Sequence, residues 1–170
     1  LVASGTHPFT NWKDLRFVEN DHYLWVRDNY GYVANRMLAF GLHIHVGLKN
    51  EKAAMYIMNQ MKKWIYPLLA LSSNSPFFQN FKTGLVSIRT HLLNSVPRTM
   101  LPPNFSTFSE LEDYYDKLLE TGDVTCPGDL WWTIRPQPPF GTIEFRVFDL
   151  PTSVSTIGVL TAITQAAVAS

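Results

Sequence analysis

Thr142-Ile143-Glu144-Phe145-Arg146-Val147-Phe148-Asp149 alternates polar and apolar residues at period two, and its reading decides the fold class. Alternation of this kind suits a half-buried strand, because successive side chains point to opposite faces of a sheet. Ile143, Phe145 and Val147 are read as the core side. Thr142, Glu144 and Arg146 then share the other side, which sets a carboxylate beside a guanidinium on a rigid surface. A carboxylate oxygen suits Mg²⁺, and an arginine fork suits a substrate carboxylate or a transferring phosphate. A salt bridge on a solvated face fits the same residues, since exposed ion pairs are common and weak.

A second strand is read over Leu42-His43-Ile44-His45-Val46-Gly47-Leu48, which also alternates and is rich in β-branched residues. His43 and His45 therefore face one side, roughly 6–7 Å apart. One imidazole can ligate a metal while the other reaches a phosphate or a second ligand, or both can simply line a polar face. A third strand is expected near Leu130–Arg135, joined to the first by the proline-rich Pro136–Phe140 connection.

Helices fill the rest of the pattern. One is expected from Asp21 to about Phe40, ended by Gly41. Another starts after an Asn50 N-cap, carries Ala54, Met58, Met61, Ile65 and Leu68 as its apolar stripe, and is weakened at Pro67. Residues 72–106 read as loop-rich. Thr107-Phe108-Ser109-Glu110 has the form of a capping box for a short helix closed by Gly122. The last helix opens near Thr152 or Ser153 and is apolar on nearly every side, which predicts burial. The order of elements implies α+β with an antiparallel sheet.

Composition excludes several classes. In 170 residues Lys plus Arg equal Asp plus Glu at 14 each, so the basic face that nucleic acid demands is missing. No apolar run approaches the roughly 20 residues of a membrane-spanning helix. The single cysteine, Cys126, forbids an internal disulfide and points to a reducing cytoplasm. The chain opens without an initiator methionine and stops inside a helical pattern, so it is expected to be a piece of a longer polypeptide. The apolar final helix offers a face for a homo-oligomer.

Other segments carry weaker signals. Asn74-Ser75-Pro76 is ordinary turn chemistry, and Arg89 is an anion clamp or a surface arginine. Trp131 and Trp132 beside Arg135 fit a pocket wall, or a core and interface pair.

Taken together, these segments resemble a known family. Gly5-Thr6-His7-Pro8-Phe9, Gly41–Gly47, Leu69–Pro76, Gly84–Arg89, Trp131–Arg135 and Thr142–Asp149 resemble, in order and spacing, bacterial carboxylate–amine ligases of the glutamate–cysteine ligase type 2 family. That family is in turn similar to glutamine synthetase. The resemblance implies a curved antiparallel sheet with helices on one face, whose concave face holds ATP, Mg²⁺ and glutamate. It implies that residues 1–170 are part of a single catalytic domain lacking its N-terminal strands and C-terminal end. It implies an ATP-dependent ligase that converts a glutamate carboxylate to an acyl phosphate, which an amine such as cysteine attacks.

Residue by residue, the resemblance makes His43 and Glu144 metal ligands and puts His45 near the nucleotide phosphates. Arg146 and Arg89 would hold the carboxylate or the phosphoryl group. Asn74 and Ser75 would shape the substrate side, with Trp132 and Arg135 as its wall. One departure stands out: the family's Gly-x-Glu-x-Glu-type strand, which supplies further metal carboxylates, has no counterpart among the six glutamates here. The chain alone is therefore expected not to turn over ATP. Two other readings are a zinc hydrolase using His43, His45 and Glu144, without the usual His-Glu-x-x-His helix, and a non-catalytic binding domain of the same fold.

Overall fold

The structure, a computed structural model, describes residues 3–170. Of the Gly5–Phe9 segment and its surroundings, only residues 1 and 2 lie outside it. In chain order the elements are α1 (Asp21–Asn35), β1 (Gly41–Gly47), α2 (Glu51–Met61), α3 (Ile65–Ser72), β2 (Phe77–Phe78), β3 (Phe81–Lys82) and α4 (Arg89–Asn94). There follow β4 (Thr99–Met100), α5 (Phe108–Glu120), β5 (Trp131–Trp132), β6 (Ile134–Gln137), β7 (Thr142–Asp149) and α6 (Val154–Ala169).

The architecture is mixed α and β around a three-stranded antiparallel sheet of order β1-β7-β6. β2 and β3 form a small hairpin, and β4 and β5 pair in parallel, an addition the sequence did not announce. Helices α2, α3 and α6 pack on the sheet. Ile44, Ile134, Ile143, Phe145 and Phe148 meet Met55, Met58, Met61, Ile65, Leu68 and Leu160 in one hydrophobic cluster. The strands therefore bury one side in the core and leave the other for polar residues.

Several element boundaries moved for identifiable reasons. The first helix ends at Asn35 rather than Phe40 and is kinked at Gly31, whose φ of 50° and ψ of −124° lie outside the helical region. The long stripe from Ala54 to Leu68 is split into α2 and α3 by a 3-10 turn at Lys62–Trp64. That split puts Pro67 in the first turn of α3, where a missing N–H costs nothing. Asn50 caps α2 as expected, accepting from Ala53 N at 2.9 Å. β6 runs through Pro136 to Gln137 because it is an edge strand, the place where a proline is tolerated. The final helix is less buried than its composition suggests: Leu160 and Thr164 face inward, while Val154 and Val159 are exposed. No helix of the described residues is long and apolar enough to cross a membrane.

The register of β7 on β1 contains a bulge. Leu42 stands opposite Phe148 and Ile44 opposite Phe145, so the single residue His43 faces two, Arg146 and Val147. A bulge of this type inserts one residue and shifts the inside–outside phase of everything beyond it. This corrects the strict alternation read from the sequence. Phe148 joins Phe145 on the core side, Val147 sits in the bulge, remains in the hydrophobic cluster as expected and also borders a surface cleft, and Asp149 stands opposite Gly41.

Candidate active site

Three strands bring the polar side chains together. Across the sheet, His45 is the partner of Glu144 on one side and Arg135 is its partner on the other. Partners directly opposite in an antiparallel pair project from the same face. His43, His45, Glu144, Arg146, Arg135 and Gln137 thus share one face, with Glu144 at the centre.

The Glu144 carboxylate is 3% exposed and saturated with donors. Oε2 accepts from Arg135 Nε at 2.7 Å and from Gln137 Nε2 at 2.7 Å. Oε1 accepts from Arg146 Nη1 at 2.7 Å and lies 3.1 Å from His43 Nδ1. His45 Nε2 is 3.7 Å away from the same oxygen. Burial opposes ionisation of Glu144, but the hydrogen bonds from His43 and Arg135 and the charges of Arg146 and Arg135 outweigh it. The carboxyl is held well below the usual range. Burial and the neighbouring Arg135 lower the Arg146 pKa, with Glu144 opposing both.

The two imidazoles differ in what fixes them. His45 Nδ1 is 2.9 Å from Thr142 Oγ1, on the end of β7. His43 Nδ1 lies between Glu144 Oε1 and Arg146 Nη1, which is 3.4 Å away. In the neutral tautomer that carries its proton on Nδ1, His43 donates to Glu144 and leaves Nε2 as a lone-pair nitrogen, the form in which histidine ligates metal. The described residues supply one carboxylate and two imidazoles. The carboxylate is one of the oxygen donors that the roughly six-ligand shell of Mg²⁺ prefers, and among the described residues no three or more His, Cys, Asp or Glu are grouped around a common point.

Beside this cluster lies a cleft of about 490 Å³, bordered by His43, Arg146, Trp131, Met100, Thr133 and Leu93 among others. None of its lining residues is acidic.

The geometry gives five of the expected site residues structural partners of their own. Trp132 is 2% exposed and stacks on Tyr115, so the wall of the cleft falls to its neighbour Trp131. Arg135 is buried and its Nη1 donates to Gly128 O and Leu130 O, so it orients Glu144 and does not border the cleft. Asn74 and Ser75 do not reach the cleft either. The Asn74 amide side chain donates to Leu150 O, while Asn74 N and Ser75 Oγ both donate to Asp149 Oδ2. Arg89 borders the cleft but is only 4% exposed, and both its Nη atoms are taken by carbonyls of β7.

Two contributors escaped the sequence reading. Gln137 lies in the proline-rich stretch that reads as a connection, although its spacing of two from Arg135 is the period of a strand that continues through Pro136. Asp149 closes the Thr142–Asp149 segment without a local partner; it is 0% exposed and accepts from Asn74, Ser75 and Ser87.

The sequence pattern of Glutamate-cysteine ligase family 2 (GCS2) matches residues 1–170. The chain belongs to this family. A protein of Solibacter usitatus, carrying the name "Putative glutamate--cysteine ligase 2", is 37% identical over 169 residues, 99% of this chain and 44% of its own length. Proteins of the same name from Chloroflexus aggregans and Thermobifida fusca are 40% and 35% identical over 167 and 168 residues. They are matched over 98% and 99% of this chain and over 43% and 42% of their own lengths. The chain thus spans less than half the length of the curated relatives it matches. For a GCS2 member, the sheet face centred on Glu144 is the natural candidate for chemistry, because it alone among the described residues gathers a carboxylate, two imidazoles and two guanidinium groups.

Proposed function

We propose that this chain is part of the catalytic domain of an ATP-dependent ligase that joins the carboxylate of glutamate to an amine, cysteine being one candidate. The reaction would pass through an acyl phosphate, because a free carboxylate is a poor electrophile. The sheet would be the glutamine synthetase-like platform that the sequence pattern implies. The observation that carries the reading is the Glu144 carboxylate, fixed by Arg135 and Gln137 from one side and faced by His43, His45 and Arg146 from the other. Phosphoryl transfer asks mainly for positioning and charge neutralisation, and a rigid sheet face with these groups offers both.

In this reading His43 and Glu144 are the residues that would hold Mg²⁺, whose chemistry is to neutralise phosphate charge as it develops. Glu144 Oε1 already meets His43 Nδ1 and Arg146 Nη1, so a cation held there would take the place of both contacts. Arg146, bordering the cleft, would bind the substrate carboxylate or the phosphoryl oxygens. His45 would face the nucleotide phosphates. The remaining metal carboxylates would come from parts of the protein that the relatives have beyond this match.

ADP release by the complete protein with Mg²⁺, ATP and glutamate, across a panel of amines including cysteine, tests the proposal. Release that requires glutamate and an amine, and collapses in Glu144→Gln, is expected. No release with any amine from folded protein would favour a binding domain instead, and tight stoichiometric zinc would favour a hydrolase.

A further inference from the structure

The bulge in β7 leaves Arg146 and Val147 opposite one residue, so their carbonyls cannot both be satisfied by β1. One guanidinium takes both: Arg89 Nη2 donates to Arg146 O and Nη1 to Val147 O, each at 3.1 Å. A planar, forked donor is suited to spanning two adjacent acceptors, and an ammonium is not.

Several neighbours of Arg89 keep that fork in place, although its Nε is buried without a partner. Asp149 Oδ1 lies 3.9 Å from Nη1, completely buried. Its oxygens are bound by Ser75 Oγ at 2.7 Å, Asn74 N at 2.8 Å and Ser87 Oγ at 3.1 Å. Ser75 Oγ also accepts from Arg89 N at 3.2 Å, which fixes the start of α4. Gly41, opposite Asp149 in the sheet, leaves the space the guanidinium occupies, since a Cβ there would overlap Arg89 Nη2. Gly5 does the same for the Asp149 carboxylate.

We propose that Arg89 is a positioning residue for the candidate site: it clamps the β7 bulge so that Arg146 presents its guanidinium to His43 and Glu144, with Asp149 as its buried counter-ion. The peptide of Arg146 is held on its other side by Arg146 N donating to Thr133 O at 2.8 Å. The backbone of Arg146 is thus pinned on both sides, which sets the origin from which its side chain reaches Glu144 and His43. A Gly-x-His strand opposite and an Arg-bearing segment after the Ser75 turn are therefore two halves of one device.

The inference rests on the ligase reading only for its activity arm. The direct readout is the imidazole ¹⁵N spectrum of the complete protein, following His43 and His45 in wild type, Arg89→Lys and Ser87→Ala. Lys62→Met serves as a control, since Lys62 bonds Pro103 O and Asn104 far from the sheet's polar face. The His43 resonances are expected to shift in both Arg89→Lys and Ser87→Ala, with His45 moving less because Thr142 holds it. Lys62→Met is expected to move neither. In the activity arm, Arg89→Lys is expected to lower kcat/KM about 10-fold or more, with Ser87→Ala intermediate.

Unmoved His43 resonances in folded Arg89→Lys would overturn the proposal, as would equal shifts in the Lys62→Met control. Shifts as expected in a protein without ligase activity would retain the clamp and remove the ligase reading. Ser87→Ala keeps the test open if Arg89→Lys fails to fold.

Discussion

Arg135 and Glu144 stand directly opposite each other across the β6–β7 pair, and Arg135 Nε donates to Glu144 Oε2 at 2.7 Å with both side chains buried. The sheet register itself brings the two together. Arg135 spends its other bonds on Gly128 O and Leu130 O, so it is fixed to the backbone before it meets the carboxylate.

Replacing Arg135 by Met should therefore remove one of the two guanidinium groups bonded to the buried Glu144 carboxylate, together with the donor to Gly128 O and Leu130 O. Removing one member of a buried pair typically costs about 3–5 kcal/mol. Urea unfolding of the variant, compared with wild type at neutral pH, should show a loss of that size, and a loss below about 1 kcal/mol would contradict the arrangement.

The depressed pKa of Glu144 makes a prediction about acid. A carboxyl whose folded pKa lies below its unfolded value contributes stability above the unfolded pKa, about 4.3 for Glu. That contribution falls away as pH drops from there toward the folded value. The stability gap between wild type and Glu144→Gln should thus be constant above about pH 5 and narrow steadily below about pH 4. A gap that widens in acid would reverse the sign of the electrostatics described for this site.

Gly41→Ala tests the room left for Arg89. A methyl group there overlaps Arg89 Nη2, and overpacking of this kind costs about 1–3 kcal/mol. At about 2–4 °C per kcal/mol for a domain of this size, the melting temperature should fall by several degrees. Gly47→Ala, at the other end of the same strand with open space around it, should change it far less.

Trp131 and Trp132 should separate stability from ligand binding. Trp132, packed among Phe105, Tyr114 and Tyr115, should cost about 3–5 kcal/mol when cut to Ala. Trp131→Ala should cost less and act mainly on substrate KM in the complete protein. Thermal melts and substrate titrations on the two variants give the comparison, and the opposite pattern would place Trp132 in the cleft wall.

Thr142→Val removes the partner of His45 Nδ1 at nearly constant volume. The hydrogen bond is worth about 1 kcal/mol to stability, so the fold should survive. Loss of an orienting partner for a site histidine commonly costs about 10-fold or more in activity. Turnover falling by no more than about two-fold would show that His45 needs no fixed ring orientation.

Much of this was legible from spacing alone. The period-two runs at Leu42–Leu48 and Thr142–Phe148 gave two of the three sheet strands and put His43, His45, Glu144 and Arg146 on polar faces. The Asn50 and Thr107 caps were readable because a side chain that bonds the backbone three residues on is a local event; Thr107 Oγ1 accepts from Glu110 N. The bulge was not readable, since Val147 and Phe148 are both apolar and either satisfies the alternation. Arg89 reads as an anion clamp or a surface arginine because nothing local reveals Asp149, 60 positions later and 3.9 Å from its guanidinium.

The sequence by itself determined the α+β class, the main strands and helices, the family, and which residue types face which side of each strand. Those follow from periodicities of two and 3.6 and from short-range hydrogen bonding, which depend on neighbours in the chain. Tertiary structure alone decided which polar residues border the cleft and which are bonded in the interior. Ser75, Arg89, Arg135 and Asp149 have the same chemistry as site residues. Their roles are set by partners that folding brings to them, five to nine positions away for Arg135 and dozens away for Ser75, Arg89 and Asp149, in a low-dielectric interior where a bonded polar group is no longer free.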